Sequence, residues 1–248
     1  MTSKRSRLDR LLLDRGLAAS RQRAAALILA GRVTVEGRRA EKAAQRVAPD
    51  ARVEVVEDDE GYVSRGGIKL AGALDAFSLS VAGLVAMDVG ASTGGFTDCL
   101  LRRGARRVYA VDVGYGQLAW KLRQDARVVV LERTNVRYLE REQIPEPVDL
   151  ATVDTSFISL TKVIPRVIEF LGENGRLLAL IKPQFEVGRG RVGKGGVVRQ
   201  PALHRQVVSE VERFCRDQTL AVGGVVESPL LGPKGNREFF ILAVKPTP

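Results

Sequence analysis

The 248 residues carry 39 Lys/Arg against 29 Asp/Glu, a net charge of +10, with 45% hydrophobic residues. That supplies a proper core for one large domain, or for a small one plus a medium one, and the basic excess points to nucleic acid or another polyanion. No apolar run approaches the roughly 18 residues of a membrane span, no cleavable signal follows the basic start, and Cys99 and Cys215 stand apart without a CxxC pattern, so a reducing cytoplasm and no membrane partner are expected.

Residues 1–46 hold 12 Lys/Arg and 4 Asp/Glu, which places a net +8 in under a fifth of the chain. Leu8, Leu11 and Leu12 form a helical stripe that Gly16 ends. Ser20 suits the N-cap of a second helix with Ala24, Leu27 and Ile28 on one face, and Gly31 stops it. Val33 and Val35 run as a strand into a Glu36-Gly37 turn; Pro49-Asp50 marks another turn before Val53 and Val55 alternate in a last strand. Arg5, Arg7, Arg21, Arg23 and Arg32 can share one basic face. An ordinary solvated surface could carry such charge. The ordered segments Arg7-Leu8-Asp9, Ser20-Arg21 and Leu27 to Val35 go further, and resemble the S-four-type RNA-binding domain of a ribosomal protein, pseudouridine synthases and tyrosyl-tRNA synthetases. The resemblance implies RNA binding by residues 1–58. Phosphate contacts from such a module give affinity and salt dependence but little sequence choice.

The short acidic stretch Glu57 to Gly61 reads as a linker, set at 59–63, and residues 64–248 form the second domain. Ser64-Arg65-Gly66-Gly67-Ile68-Lys69-Leu70 enters a helix that continues through Leu74 and Phe77. Apolar runs then give strands at Leu84–Val89, Val108–Val111, Val128–Leu131, Val148–Val153 and Leu177–Ile181. Helical patterns lie at Phe96–Leu101, Thr161–Leu171 and Pro201–Cys215, the last with Pro at its start. Residues 188–196 are basic, glycine-rich and without apolar period, which reads as a loop. Two closely spaced strands, 219–227 and 238–244, suit an antiparallel pair at one side. The fold class is therefore α/β, a Rossmann-like, mostly parallel sheet behind a small N-terminal α+β domain.

The segment Ala86 to Phe96 organises this second domain. A buried strand breaks into Gly90-Ala91-Ser92-Thr93-Gly94-Gly95 and a helix follows, so backbone amides and a helix N-terminus can face a ligand. Asp112 ends the next strand, about 20 residues on, where an acidic side chain holds ribose hydroxyls. Three ligand classes compete. A dinucleotide fingerprint wants glycine where Ser92 stands. The run also satisfies G-x-S-x-G, a nucleophile elbow, but its base would have to be His204, the only histidine, and Asp112 is then unexplained. S-adenosylmethionine explains both ends: its amino-acid part lies against Asp88, Gly90, Ala91, Ser92, Gly94, Gly95 and Phe96, its ribose on Asp112 and Val113, its adenine near Asn135 and Val136, with Asp154 at the sheet edge. Gly188 to Gly195 misses a phosphate-binding loop by its final Ser/Thr.

For the acceptor, Asp154-Thr155-Ser156-Phe157 lacks the prolines of base-nitrogen methyltransferases, and neither cysteine is placed for pyrimidine carbon methylation. Lys69, Asp154, Lys182 and Glu238 do converge at strand ends or just before the sheet. Each alone has a bland explanation: a helix cap, a surface lysine, a solvated glutamate. Together around a methyl-donor pocket they suit a ribose hydroxyl. Such a hydroxyl holds its proton tightly, and a partly buried lysine beside another cation can keep a neutral fraction to take it. No metal is needed, because in-line attack on the sulfonium completes the transfer.

The chain resembles the TlyA group, whose members are named both as haemolysins and as ribosomal RNA cytidine 2′-O-methyltransferases, and its central domain is similar to the FtsJ-like methyltransferases. Ser64 to Leu70, Asp88 to Phe96, Val111 to Leu118, Glu132 to Arg137, Asp154 to Leu160, Ile181 to Glu186, Gly196-Val197-Val198 and Gly235-Asn236-Arg237-Glu238 carry the resemblance. It implies a Lys-Asp-Lys-Glu tetrad at Lys69, Asp154, Lys182 and Glu238, with S-adenosylmethionine as cofactor and a cytidine in ribosomal RNA or ribosomal subunits as partner. It also implies a link to sensitivity towards tuberactinomycin antibiotics. Arg65, and Arg189, Arg191 and Lys194 in the basic loop, complete the expected RNA-binding set. Members acting on both subunits tend to carry a C-terminal extension; this chain stops four residues after Val244, so large-subunit RNA is the favoured target and small-subunit RNA the second. A monomer is the default expectation. The competing readings are a membrane-active haemolysin and a catalytically inactive RNA-binding protein.

Overall fold

The computed structural model describes residues 5–18, 20–55 and 61–247. The N-terminal part runs β1 (Ser6–Arg7), α1 (Leu8–Asp14), α2 (Arg21–Leu29), β2 (Val33–Val35), β3 (Arg38–Arg39), β4 (Arg46–Val47) and β5 (Val53–Val55). Ser20 caps α2, its hydroxyl accepting from Arg23 N at 3.0 Å. The β2–β3 hairpin turns at Glu36 and Gly37, with φ of 49° and 70°, the left-handed pair that matches strand twist in a two-residue turn. β2 also pairs antiparallel with β5, and β1 with β4. Leu8, Leu12, Ala24, Ile28 and Val33 close a small core of their own.

The larger part runs α3 (Arg65–Ala76), β6 (Val85–Val89), α4 (Gly95–Arg102), β7 (Arg107–Val111), α5 (Trp120–Arg123), β8 (Val128–Leu131), β9 (Val148–Val153), α6 (Ile164–Phe170), β10 (Leu171–Ile181), α7 (Pro183–Glu186), α8 (Pro201–Asp217), β11 (Ala221–Glu227) and β12 (Phe239–Val244). Its seven strands lie in the order β11-β12-β10-β9-β6-β7-β8. β6 to β10 are mutually parallel, whereas β12 is antiparallel to both β10 and β11. Alternate residues feed opposite faces. Leu178 and Leu180 join α3 and α4 in one core, while Leu177, Ala179 and Ile181 join α6 and α8 in the other. β6 is buried throughout, between β7 and β9. Strand order reverses beside it, so the crevice for a ligand opens at the carboxyl ends of β6 and β9.

Several elements differ in detail from the sequence reading. The helix expected from Thr161 starts as a 3₁₀ turn, Leu160–Lys162, and becomes α-helical at Ile164, where Pro165 fits the first turn. The strand expected from Leu177 reaches back to Leu171, with an irregularity before Arg176. The glycine-rich loop holds two 3₁₀ turns, 189–191 and 194–196. Of the linker expected at 59–63, residues 59 and 60 lie outside the described residues. Tyr62 is buried, and Val63 N donates to Asp98 Oδ2 at 2.8 Å, which ties this end of the segment to α4.

Candidate active site

The turn after β6 is shaped by left-handed residues: Gly90, Ser92 and Gly94 have φ of 86°, 49° and 94°. A Cβ on Gly90 would stand 2.6 Å from the Asp154 carbonyl oxygen, so only glycine lets the ends of β6 and β9 close up. Gly90 N and Ala91 N donate to the Val111 carbonyl at 2.8 and 3.2 Å. Ser92 N donates to Asp112 Oδ2 at 2.8 Å, and Gly114 N to Asp112 Oδ1 at 2.6 Å. Asp112 thus braces the turn, and each oxygen keeps a further lone pair for a hydroxyl. Asp88, expected against the donor, is fully buried below the turn. Its carboxyl accepts from Thr97 Oγ1 at 2.7 Å and lies 3.4 Å from Thr152 Oγ1. Burial first, and then nearby Asp154, push the Asp88 carboxyl up to about 7.

Three adjoining clefts open at this edge. The first, about 480 Å³, is lined by Gly90, Ser92, Asp112, Val113, Asn135, Val136, Asp154 and Thr155. A nucleoside-bearing donor fits this cleft. Asp112 stands in its lining, Val113 offers a 71% exposed apolar wall, and the buried Thr155 Oγ1 has no hydrogen-bond partner. The second, about 150 Å³, joins Gly95, Phe96, Lys69, Asp154, Lys182 and Glu238 to Leu29, Ala30 and Arg39 of the N-terminal part. The third, about 560 Å³, is walled by Ser156, Phe157, Phe185 and Asn236, again with Lys182 and Arg39. Asp154 borders the first and second clefts, and Lys182 the second and third.

The four charged residues picked from the sequence come together as two pairs. Lys69 Nζ lies 2.5 Å from Glu238 Oε2, and Lys182 Nζ lies 2.5 Å from Asp154 Oδ1 and 3.0 Å from Ser156 Oγ. Lys69, Lys182 and Glu238 are buried. Burial pushes the Asp154 carboxyl up, but Lys182 and Lys69 overcome it and hold it below its ordinary value. Charges so enclosed persist because they are paired. The hydrolase arrangement is absent: His204 Nε2 bonds to the Val198 carbonyl at 2.9 Å, and Ser92 Oγ lies 3.4 Å from Gln117 Oε1.

Comparison with known proteins places this geometry. Residues 62–245 match the FtsJ-like methyltransferase family and residues 6–53 the S4 domain. The chain is 52% identical to the Mycobacterium tuberculosis protein named 16S/23S rRNA (cytidine-2′-O)-methyltransferase TlyA, over 96% of its own length and 90% of that protein's. It belongs to the TlyA family of FtsJ-like methyltransferases. A solved structure from Streptococcus thermophilus that carries a hemolysin name superposes with a TM-score of 0.77 at 40% identity, covering 99% of this chain and 90% of that one. An S-adenosylmethionine-dependent methyltransferase from Mesorhizobium loti, 15% identical with a TM-score of 0.53, covers 71% of this chain and 97% of its own and shares the fold.

In this TlyA-family chain the basic residues spread over two surfaces. Arg5 and Arg23 are exposed; Arg7 and Arg21 pair with buried Asp9 at 2.8 and 3.1 Å. Those partners hold the Asp9 carboxyl down at about 2, the Arg7 hydrogen bond most strongly. Arg32 is half-buried, as is Arg65, which borders the second cleft. Arg191 is exposed on the glycine-rich loop that also contains Arg189 and Lys194. Sequence reasoning missed Arg39, brought to the tetrad only by packing of the small domain. It also missed Phe157, which has φ 65° and is 90% exposed between the first and third clefts. Asn236 is a third omission. Its Oδ1 accepts from Val198 N, and its Nδ2 donates to the Gly196 and Pro233 carbonyls, at 3.0, 3.0 and 3.2 Å. It thereby staples the end of the glycine-rich loop beside Glu238.

Proposed function

We propose that this chain transfers the methyl group of S-adenosylmethionine to the ribose 2′-hydroxyl of a cytidine in ribosomal RNA, with Lys69, Asp154, Lys182 and Glu238 as its catalytic residues. The observation that carries the reading is the junction of the clefts: both lysine–carboxylate pairs line the small second cleft, whose Asp154 also borders the donor cleft and whose Lys182 also borders the third, roomy enough for an acceptor nucleotide. The donor supplies a methyl group on a sulfonium, an electrophile that needs no metal to react. Asp112 takes the donor's ribose hydroxyls, while Val113, Asn135 and Val136 flank its adenine. Lys182, aimed by Asp154 and Ser156, takes the proton from the acceptor 2′-hydroxyl. Lys69, fixed by Glu238, orients the same hydroxyl for in-line attack. Residues 1–58 hold RNA phosphates through Arg5, Arg7, Arg21, Arg23 and Arg32, residues 59–63 link, and residues 64–248 perform the transfer together with Arg65, Arg189, Arg191 and Lys194. The enzyme works as a monomer in the cytoplasm, where ribosomal subunits are found. Among the described residues no helix is long and apolar enough to cross a membrane.

The test is transfer from labelled S-adenosylmethionine to separated, unmethylated small and large ribosomal subunits. Label at one cytidine, with the adjoining phosphodiester resistant to alkali, is the expected result and names the subunit. Label on a base, or none on either subunit while the donor binds, contradicts the reading.

A further inference from the structure

We propose that Gln184 reads the acceptor base, its side-chain oxygen accepting a hydrogen bond from the exocyclic amine of cytosine. This rests on the 2′-O-methylation reading and names the residue that selects the nucleotide. Gln184 lies in α7, two positions beyond Lys182, and Pro183 rigidifies the step between them. A ribose held at Lys182 therefore presents its base to the same short turn. The third cleft, which Gln184 lines, is walled by Leu29, Phe157 and Phe185, and the two phenyl rings stand 5.1 Å apart at 50°. Aromatic walls suit an unstacked base whose Watson–Crick edge is then read by polar groups.

Gln184 Oε1 is buried and has no hydrogen-bond partner. A buried acceptor left unpaired costs free energy until a donor arrives. The other uncharged polar side chains here are engaged: Ser156 Oγ accepts from Lys182, and both ends of the Asn236 amide are taken. Arg39, Lys42, Lys182 and Lys234 outnumber Glu41 around the cleft. That positive surround favours an amide oxygen over an amide N–H at this edge. Cytosine offers an amine at that edge, whereas uracil offers a carbonyl, which would meet the Gln184 oxygen as a second acceptor. Selection for cytosine follows from one oriented amide.

The experiment compares the cytidine that the wild-type enzyme methylates with a subunit carrying uridine at that nucleotide, for the wild type, Gln184→Leu and Gln184→Glu. The wild type favours cytidine. Gln184→Leu lowers transfer to cytidine by about tenfold, as the loss of one hydrogen bond permits, and leaves transfer to uridine equal to or above the wild-type level, so the preference collapses. Gln184→Glu keeps an acceptor oxygen and keeps the preference. Donor affinity, read by calorimetry, stays at the wild-type value in both variants and shows that they are folded. A Gln184→Leu enzyme that retains the wild-type cytidine preference, or loses both activities equally, overturns the proposal. Wild-type enzyme that methylates no cytidine brings down the 2′-O-methylation reading itself, and the role of Gln184 with it.

Discussion

Gly232 shows how closely the site is fitted at the level of single residues. A Cβ there would stand 1.9 Å from Glu238 Oε1 and 2.4 Å from its Cδ, so the Lys69–Glu238 pair forms only because position 232 has no side chain. Gly232→Ala is expected to lower kcat at least tenfold while donor affinity stays unchanged, a split that steady-state kinetics and calorimetry resolve. Asp88 yields a pH prediction. Its folded pKa of about 7 exceeds the ordinary value of 3.8. The stability it contributes is therefore complete below about pH 4 and is lost as pH rises through 7. Asp88→Asn removes that slope and is the more stable protein at pH 8, by a few kcal/mol, because each tenfold change in proton affinity is worth about 1.4 kcal/mol. Urea melts of both proteins at pH 5 and pH 8 check the sign.

At the level of elements, the parts that recur locally were legible in the sequence. Apolar runs gave the strands of the large sheet, though not the two-residue β1, β3 and β4 of the small domain; Ser20 and Gly31 bounded α2, and Gly90 to Gly95 announced the turn, because each depends on neighbours within a few residues. The convergence of Asp154 and Lys182 was legible because each follows the carboxyl end of a parallel strand, β9 or β10, while Lys69 of α3 and Glu238 before antiparallel β12 reach the same edge from outside the parallel strands. Asp88 was not, since a strand residue near that edge can face the crevice or the layer beneath it, and Thr97 and Thr152 decide for the latter. Nor was Asn236, whose partners Val198 and Gly196 lie 38 and 40 residues away. It joins two segments that in sequence read as a loop and a strand start. Asn236→Ala strands the buried Val198 N–H and is expected to destabilise the protein by about 1–3 kcal/mol. Amide exchange should quicken in residues 193–198 before the sheet. An unchanged exchange rate there would show that the loop is held otherwise.

At the scale of the whole molecule, the charge lies where the partner is expected. The net +8 of residues 1–46 belongs to a small domain whose residues Leu29, Ala30 and Arg39 border the tetrad cleft. Docking of RNA on that domain and access to the proposed catalytic edge are thus one geometric problem, a link that no local pattern in the chain displays. Exposed Arg5 and Arg23 are expected to act through phosphates. Replacing each by Ala should weaken RNA binding and reduce the slope of log affinity against log salt by about 1, without changing donor affinity. Arg7 and Arg21 should behave differently, since each also neutralises buried Asp9; their loss lowers stability as well as affinity.

The central claim is that the paired lysines at the cleft junction perform the transfer, and Lys182 tests it most directly. The measurement is single-turnover methyl transfer to the ribosomal subunit by wild type, Lys182→Ala and Lys182→Arg, with donor and RNA affinities determined alongside. If Lys182 takes the hydroxyl proton, both variants bind donor and RNA as the wild type does and lose at least 10²-fold in rate. Arginine fails along with alanine because it keeps the charge but cannot accept a proton. Transfer by Lys182→Arg at near the wild-type rate would contradict the assignment and leave the residue a purely electrostatic role.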